Sequence, residues 1–462
     1  MFHRQFQQFK HPTSMNRHSC FVIFLAACIT FFTSGPAAAQ GENDERRALV
    51  VTQDPETLSA PPAGTDVVPH LGAPIVPGRN VIYSAGFQLV WNAMWDRFTK
   101  EAPKLEPVSE LATSLNLRGI EAADIAPESV FIKCGYHHEG VVDQVRREMA
   151  ERFPGSPFPI TAPEPDDSGL PRIFIYAHLE KTLAFENPFM PVSKAGFQFV
   201  PENRSAARIR TVAVRGFGLE PLPHPAAEQV KIHYFSRDKS GNRSNHHYVV
   251  ELKTRSADTE LLLATVPPGP TMQSTIEELG RLRRGMPRER AMAEAEMKRL
   301  NSLPKEESER ISYQVMQQAE QRLFDSNPDL FSSYDSLIVP VIDFQLRRVY
   351  DELAGRKVLN HGGGAGPAMI TRASQTLRFR LDEKGVELKD DSGMEEEENG
   401  VAGRHLNFCR PFLLLLNERK SGKTVFAAWI GNAELLEAVP QAGRPPNRLD
   451  GNAAGDPDPQ GQ

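Results

Sequence analysis

Cysteine is scarce in this 462-residue chain, with four in all. Cys20 and Cys28 fall within residues 1–39, which leaves Cys134 and Cys409 for the rest. Two such distant thiols build neither a disulfide framework nor a Cys-x-x-Cys metal site. The sequence leaves open whether they pair or stay as separate buried thiols. No apolar run reaches the ~20 residues that cross a bilayer as a helix. Positive charge is not in excess either. The net charge is −6, and it is −9 once Arg4, Lys10 and Arg17 of residues 1–39 are set aside. That balance argues against nucleic acid as a partner. There is no internal repeat. What remains is 40% apolar and 24% charged, the composition of a soluble globular chain.

The first segment reads as an address. Residues 1–19 are polar and basic, Phe21 to Thr33 are almost wholly apolar, and Ala37-Ala38-Ala39 follow Gly35 and Pro36. This is the layout of a secretory signal with a small-residue cleavage site. It places the mature chain in a periplasmic or extracellular setting. Leu25-Ala26-Ala27-Cys28 also resembles a lipobox, but the apolar run continues past Cys28, which disfavours a lipid anchor there.

Residues 40–78 are rich in Pro, Gly and acids and read as a flexible linker. Residues 439–462 lack any core pattern and read as a disordered tail. The domain between them, 79–438, mixes periods. Asn80 to Arg97 reads as a strand end running into a helix, with Phe87, Val90, Trp91, Met94 and Phe98 inward. A second helix is predicted from Gly140 to Phe153, with Val141, Val142, Val145 and Met149 inward. Buried strands are expected at Ile173–Ala177, at two runs within Val249–Val266, and as one strand over Leu337–Leu346. Leu377 to Leu381 alternates as a half-buried strand does, and Phe412–Leu416 with Val425–Ile430 form a hairpin. Gly285 to Phe324 is a charged helical stretch broken near Pro304. The class is α+β.

Catalytic and metal motifs fail on spacing. Ser421-Gly422-Lys423-Thr424 ends like a phosphate loop, but Asn417 stands where the motif needs its first glycine. It reads as a hairpin turn. Gly362 to Gly366 has no Lys-Ser/Thr pair after it and reads as a connector. His137-His138-Glu139 and His246-His247 miss the helical spacing that puts two imidazoles on one face, so they read as solvated surface histidines. Arg281, Arg283 and Arg284 sit among acids as a solvated helix face. No catalytic residue, metal ligand or cofactor site is expected, and the chain reads as a non-enzyme.

The C-terminal third nevertheless resembles the serpin family. Leu381-Asp382-Glu383-Lys384-Gly385-Val386-Glu387 is similar to the strand that leads into a serpin reactive loop. Phe408-Cys409-Arg410-Pro411-Phe412 resembles the strand that follows it, and Lys420 to Ile430 resembles the terminal hairpin. Asn80 to Ser84, Ile175-Tyr176-Ala177 with Lys181 and Pro188-Phe189, Val249 to Leu252 and Leu261 to Pro267 follow in the same order. The chain departs from the pattern at Tyr176, Phe185, Ala85 and Ala428; residues 98–172 are short and 285–325 look inserted. The resemblance implies helices packed on three mixed or antiparallel sheets, and a serine-type endopeptidase inhibitor acting as a monomer through an exposed loop at about 387–407.

A serpin inhibits by inserting its cleaved loop as a new strand, and alternate residues of a strand face the core. Aligned from Glu387, the inward set here is Asp390, Ser392, Met394, Glu396 and Glu398. Burying an unpaired carboxylate costs several kcal/mol, so this hinge opposes insertion. Gly400, Val401, Ala402, Gly403 and Arg404 bracket the scissile bond, and Arg404 would suit a trypsin-like pocket unless it is only a solvated loop charge. The alternative is a non-inhibitory serpin-fold protein that binds a basic protein partner through the acidic loop.

Overall fold

The computed structural model describes residues 59–125, 130–154, 156, 169–182, 184–202, 208–221, 223–238, 245–308, 310–327, 331–362, 366–383 and 402–439. Strand β1 (Thr65–Val68) lies within the segment expected to be a linker. It pairs in parallel with β2 (Asn80–Ser84), so the folded core begins before residue 79. Ser84 is extended and its hydroxyl accepts from the Gly86 amide, which starts α1 (Ala85–Met94) where the sequence predicts. The expected inward residues Phe87, Val90, Trp91 and Met94 are all fully buried.

β3 (Leu105–Glu106), α2 (Glu110–Leu115), β4 (Val130–Tyr136), α3 (Val141–Arg152) and β5 (Arg172–Thr182) follow. Then come β6 (Met190–Phe199), β7 (Arg210–Leu219), β8 (Val230–Ser236), β9 (His247–Leu252) and β10 (Thr259–Thr265). The charged helical stretch is α4 (Met272–Asn301), α5 (Lys305–Ser308) and α6 (Tyr313–Asp325). α4 starts earlier than the sequence suggested, at a Thr271–Ser274 capping box, and runs through Pro287. Its buried Leu279, Met286, Ala293 and Leu300 repeat every seven residues and form one inward seam.

The single strand expected over Leu337–Leu346 is two strands. β11 (Ser336–Pro340) and β12 (Ile342–Val349) belong to different sheets. Pro340 has no amide to donate, and the buried Val341 carries the chain across by donating to the Arg215 carbonyl. β13 (Lys357–Val358), β14 (Ala368–Leu381), β15 (His405–Asn407), β16 (Phe412–Glu418) and β17 (Thr424–Ile430) complete the order.

Three sheets result. One is seven-stranded, β1-β2-β17-β16-β10-β9-β8. One is four-stranded, β15-β11-β7-β6. One is six-stranded, β3-β13-β14-β5-β4, with β12 also on β14. The α+β arrangement with mixed sheets is thus the one expected. The first and third sheets face each other across one core, where Phe379 of β14 stacks on Phe426 of β17 with ring centroids 4.9 Å apart. α1 buries Gln88 and Asn92 in that interior, and both are satisfied by carbonyls of Leu115 and Ile120.

Candidate functional site

The long strand β14 and the short β15 are the two ends from which residues 384–401 depart and return. Those residues lie outside the described ones. The hinge set Glu387, Asp390, Ser392, Met394, Glu396 and Glu398, and the scissile candidates Gly400 and Val401, therefore have no structural account. Ala402, Gly403 and Arg404 do.

At the upstream end, β14 alternates Leu377, Phe379 and Leu381 inward with Arg378 and Arg380 outward. Arg380 bridges Asp343 on β12 and the buried Asp382, each at 2.5 Å. Glu383 accepts from Arg215, which also holds Glu437 at 2.8 Å. The last described residues before the segment are thus pinned by two arginines.

The downstream end is held by side chains of α6 and by Arg237, which follows β8. Ala402 donates its amide to the Gln321 side chain at 2.9 Å and accepts back from it at 3.0 Å. Arg237 donates to the same Ala402 carbonyl at 3.0 Å while chelated by Asp325 at 2.8 and 2.9 Å. Gly403 passes so close to Tyr334 that a Cβ would stand 1.8 Å from its carbonyl oxygen.

Arg404 is neither a solvated loop charge nor a side chain on offer to a protease pocket. It is fully buried. Its amide and guanidinium both bond Asp335, with Nη2 to Oδ2 at 2.7 Å. Nη1 donates to the Asn327 carbonyl at 2.9 Å, and the guanidinium lies over Phe324, 4.7 Å from the ring centre. Sequence reasoning missed Gln321, Asp325 and Asp335 as partners, because they come from the stretch set aside as an insertion and its sequel.

β14 runs parallel to β5 with register from Met369 opposite Arg172 to Arg380 opposite Thr182, broken by one bulge near Ile370. Polar side chains are buried along this seam. Thr376 bonds both the Tyr176 hydroxyl at 2.9 Å and His178 Nδ1 at 2.7 Å. Burial pushes the Tyr176 phenol up to about 12. Gln375 accepts from the Tyr350 hydroxyl at 2.9 Å.

The other sequence candidates resolve differently. Cys134 and Cys409 are free thiols. Burial pushes Cys134 up to about 11, so it stays protonated. Ser421 to Thr424 is the hairpin turn, with Gly422 at φ +68°. His137 is half-buried and bonds Thr371 at 2.7 Å, while His138 beside it is exposed. His246 is buried, not solvated. A different trio, His233, Glu251 and Glu260, brings three potential metal donors within 4.8 Å of one another. Arg419 already pairs with Glu251 and Arg283 with Glu260, so the trio is an ion-pair network rather than an open donor set.

No protein-family model and no curated protein matches the chain. Solved structures do. The chain is similar to mouse protein-Z dependent protease inhibitor at 12% identity and a TM-score of 0.34, over 64% of this chain and 63% of that one. It therefore spans less than two thirds of that protein. It is similar to a tumour suppressing serpin at 9% identity and a TM-score of 0.39, over 76% and 93%. It is similar to thyroxine-binding globulin, in complex with thyroxine, at 11% identity and a TM-score of 0.40, over 77% and 94%.

Proposed function

We propose that this chain is an exported serpin-like protein that offers residues 384–401 to a protein partner, and that the partner is a serine-type endopeptidase. The observation that carries the reading is the seam upstream of that segment. β14 ends at the segment and lies parallel to β5. Two parallel neighbours joined only through distant chain can part to admit a strand antiparallel to both, whose ladders would replace the hydrogen bonds they now make to each other. The fixed downstream end, Ala402 to Arg404, gives the segment a rigid post to be strung from. Secretion rests on the leader-like residues 1–39, and N-terminal sequencing of the exported chain tests it.

A second reading is a non-inhibitory serpin-like binding protein. The acids at Asp390, Glu396 and Glu398 favour it, since each opposes burial in a new strand. One experiment separates the two. Residues 40–462 are incubated with trypsin-like, elastase-like and subtilisin-like proteases, then run on denaturing gels and melted. A covalent complex that survives denaturation, with a raised melting temperature after cleavage, supports the inhibitor. Clean nicking between Lys389 and Arg404 with neither effect supports the binding protein.

A further inference from the structure

The long helix α4 carries two lines of side chains on opposite sides. The inward one is the seam of Leu279, Met286, Ala293 and Leu300. On the other side Arg281, Arg284, Arg288, Ala291, Ala295 and Lys298 follow one another in alternating steps of three and four residues. That spacing sets them in a row along one helix face. All six are exposed, and no acid stands among them. Met292 and Arg299 lie beside the row, Met292 at 64% exposure. The row is about 26 Å long at the rise of an α-helix.

Two cations in the row are unmatched, although the flanks of the helix are matched. On those flanks Arg283 pairs with Glu260 at 2.7 Å, Arg290 with Glu294 at 2.8 Å, and Glu296 with Arg322 of α6 at 3.1 Å. Arg281 reaches Glu278 of its own helix. The side chains of Arg284 and Arg288 make no ion pair or hydrogen bond among the described residues. Lys298 and Arg299 stand in the last turn, where the helix dipole favours positive charge. Arg284 and Arg288 stand in the middle, without that support, and like charges four residues apart repel. In a chain of net charge −6, two cations held side by side on an exposed face call for a counter-charge from outside it.

The shape of the row says what carries that charge. Its centre is uncharged. Ala291 and Ala295 add little bulk there, so a second helix can come close, and Met292 at their edge is an adaptable apolar contact. Charge bordering an apolar centre at this spacing is how one helix receives another. A bilayer surface is gripped by several large apolar side chains, and this face offers one. A flexible polyanion would leave Met292 uncovered.

We propose that the outward face of α4 docks an acidic α-helix of a partner protein. Carboxylates of that helix meet Arg284 and Arg288, and an apolar side chain packs over Ala291 and Ala295 against Met292. The face stands apart from the 384–401 segment and does not depend on what that segment engages.

The test uses residues 40–462 and two fluorescein-labelled peptides of about 20 residues, long enough as helices to cover the row. One carries its Glu and Leu side chains on a single helical face, with Leu at the centre. The other has the same composition with Glu spread around the helix. Anisotropy titrations are expected to show saturable binding of the first, about tenfold tighter than the second. Arg284→Glu with Arg288→Glu is expected to weaken it by about tenfold or more, and to bind instead a peptide in which Lys replaces every Glu. Ala295→Trp leaves every charge in place and is expected to weaken binding by about tenfold, because it holds the partner helix off. All three positions are exposed, so the variants are expected to melt as the parent does. Equal binding of the two peptides by the unmodified protein, or saturable binding of neither, overturns the proposal. So does a charge-reversed variant that ignores the Lys peptide, an Ala295→Trp protein that binds as the parent, or tighter binding to dextran sulfate or phosphatidylglycerol vesicles than to the first peptide.

Discussion

Arg404 and Asp335 form an ion pair in which both side chains are wholly buried, with Nη2 2.7 Å from Oδ2. Asp335 also accepts the Arg404 amide, so a single carboxylate fixes backbone and side chain together. Removing it strands a guanidinium among Phe324 and the Asn327 carbonyl. Asp335→Ala is therefore expected to destabilise the protein by about 3–5 kcal/mol. Arg404→Met together with Asp335→Leu is expected to lose much less, because no charge is left unpaired. Urea unfolding of the three proteins checks this. Equal losses for the single and double changes would show that the pair is not what holds the post.

Gln321 and Arg237 hold Ala402 from the side of α6. Gln321 accepts the Ala402 amide hydrogen, so Gln321→Ala is expected to speed exchange of that amide by about tenfold or more. Global stability is expected to change by less than about 1 kcal/mol, since these groups are partly exposed. Gly403→Ala drives a methyl into the Tyr334 carbonyl and is expected to loosen the same amide. Hydrogen exchange read by mass spectrometry decides both. Unchanged exchange at Ala402 in both variants removes α6 as a clamp.

Elements with one strong period were legible. α1, α3 and the β16–β17 hairpin stand where the spacing put them, because their apolar sets are long, and Ser84 adds an explicit cap to α1. β6, β7 and β8 were not foreseen. Register breaks at Val192/Ala195 in the β6–β7 pair and at Ile232/Tyr234 in the β8–β9 pair interrupt the two-residue alternation that marks a half-buried strand. α4 was read short because Gly280, Gly285 and Pro287 lower helix propensity in its first half, while tertiary packing of Leu279 and Met286 overrides them. The partners of Arg404 were illegible for another reason. Asp335 is 69 residues away and comes from the turn before β11. Nothing local marks an arginine as buried when its counter-charge is that distant.

Acid is expected to weaken the fold in two stages. Burial holds His246 and His137 down to about 4, below the ordinary 6.5, so the unfolded chain takes up protons that the native state refuses. Their contribution is full above pH 6.5 and is lost as pH falls toward 4. Burial works against the Glu251 carboxylate, but hydrogen bonds from His233 and Arg419 outweigh it and hold the group at about 2, below its ordinary 4.5. That contribution is present above pH 4.5 and disappears between there and pH 2. Urea midpoints are expected to fall between pH 6.5 and 4, with a shallower slope in His246→Phe. Glu251→Gln is expected to flatten only the part below pH 4.5. A midpoint that does not change from pH 7 to 4 would refute the first stage.

The acidic hinge makes the last prediction the most direct test of how the 384–401 segment behaves. If an added strand can lie between β5 and β14, what opposes it is the cost of three carboxylates on its inward face, at Asp390, Glu396 and Glu398. Cleavage of the parent at Gly400 or Val401, ahead of the clamped Ala402–Arg404, is then expected to leave the melting temperature unchanged at pH 7. Replacing all three, Asp390→Ala with Glu396→Ala and Glu398→Ala, removes the desolvation cost and leaves small side chains that a strand can bury. After the same cleavage, the triple variant is expected to melt at a markedly higher temperature than its uncleaved form. The uncleaved variant is expected to melt as the parent does. A cleaved triple variant that melts no higher than the cleaved parent would mean that the β5–β14 seam does not open, whatever the charge of the hinge.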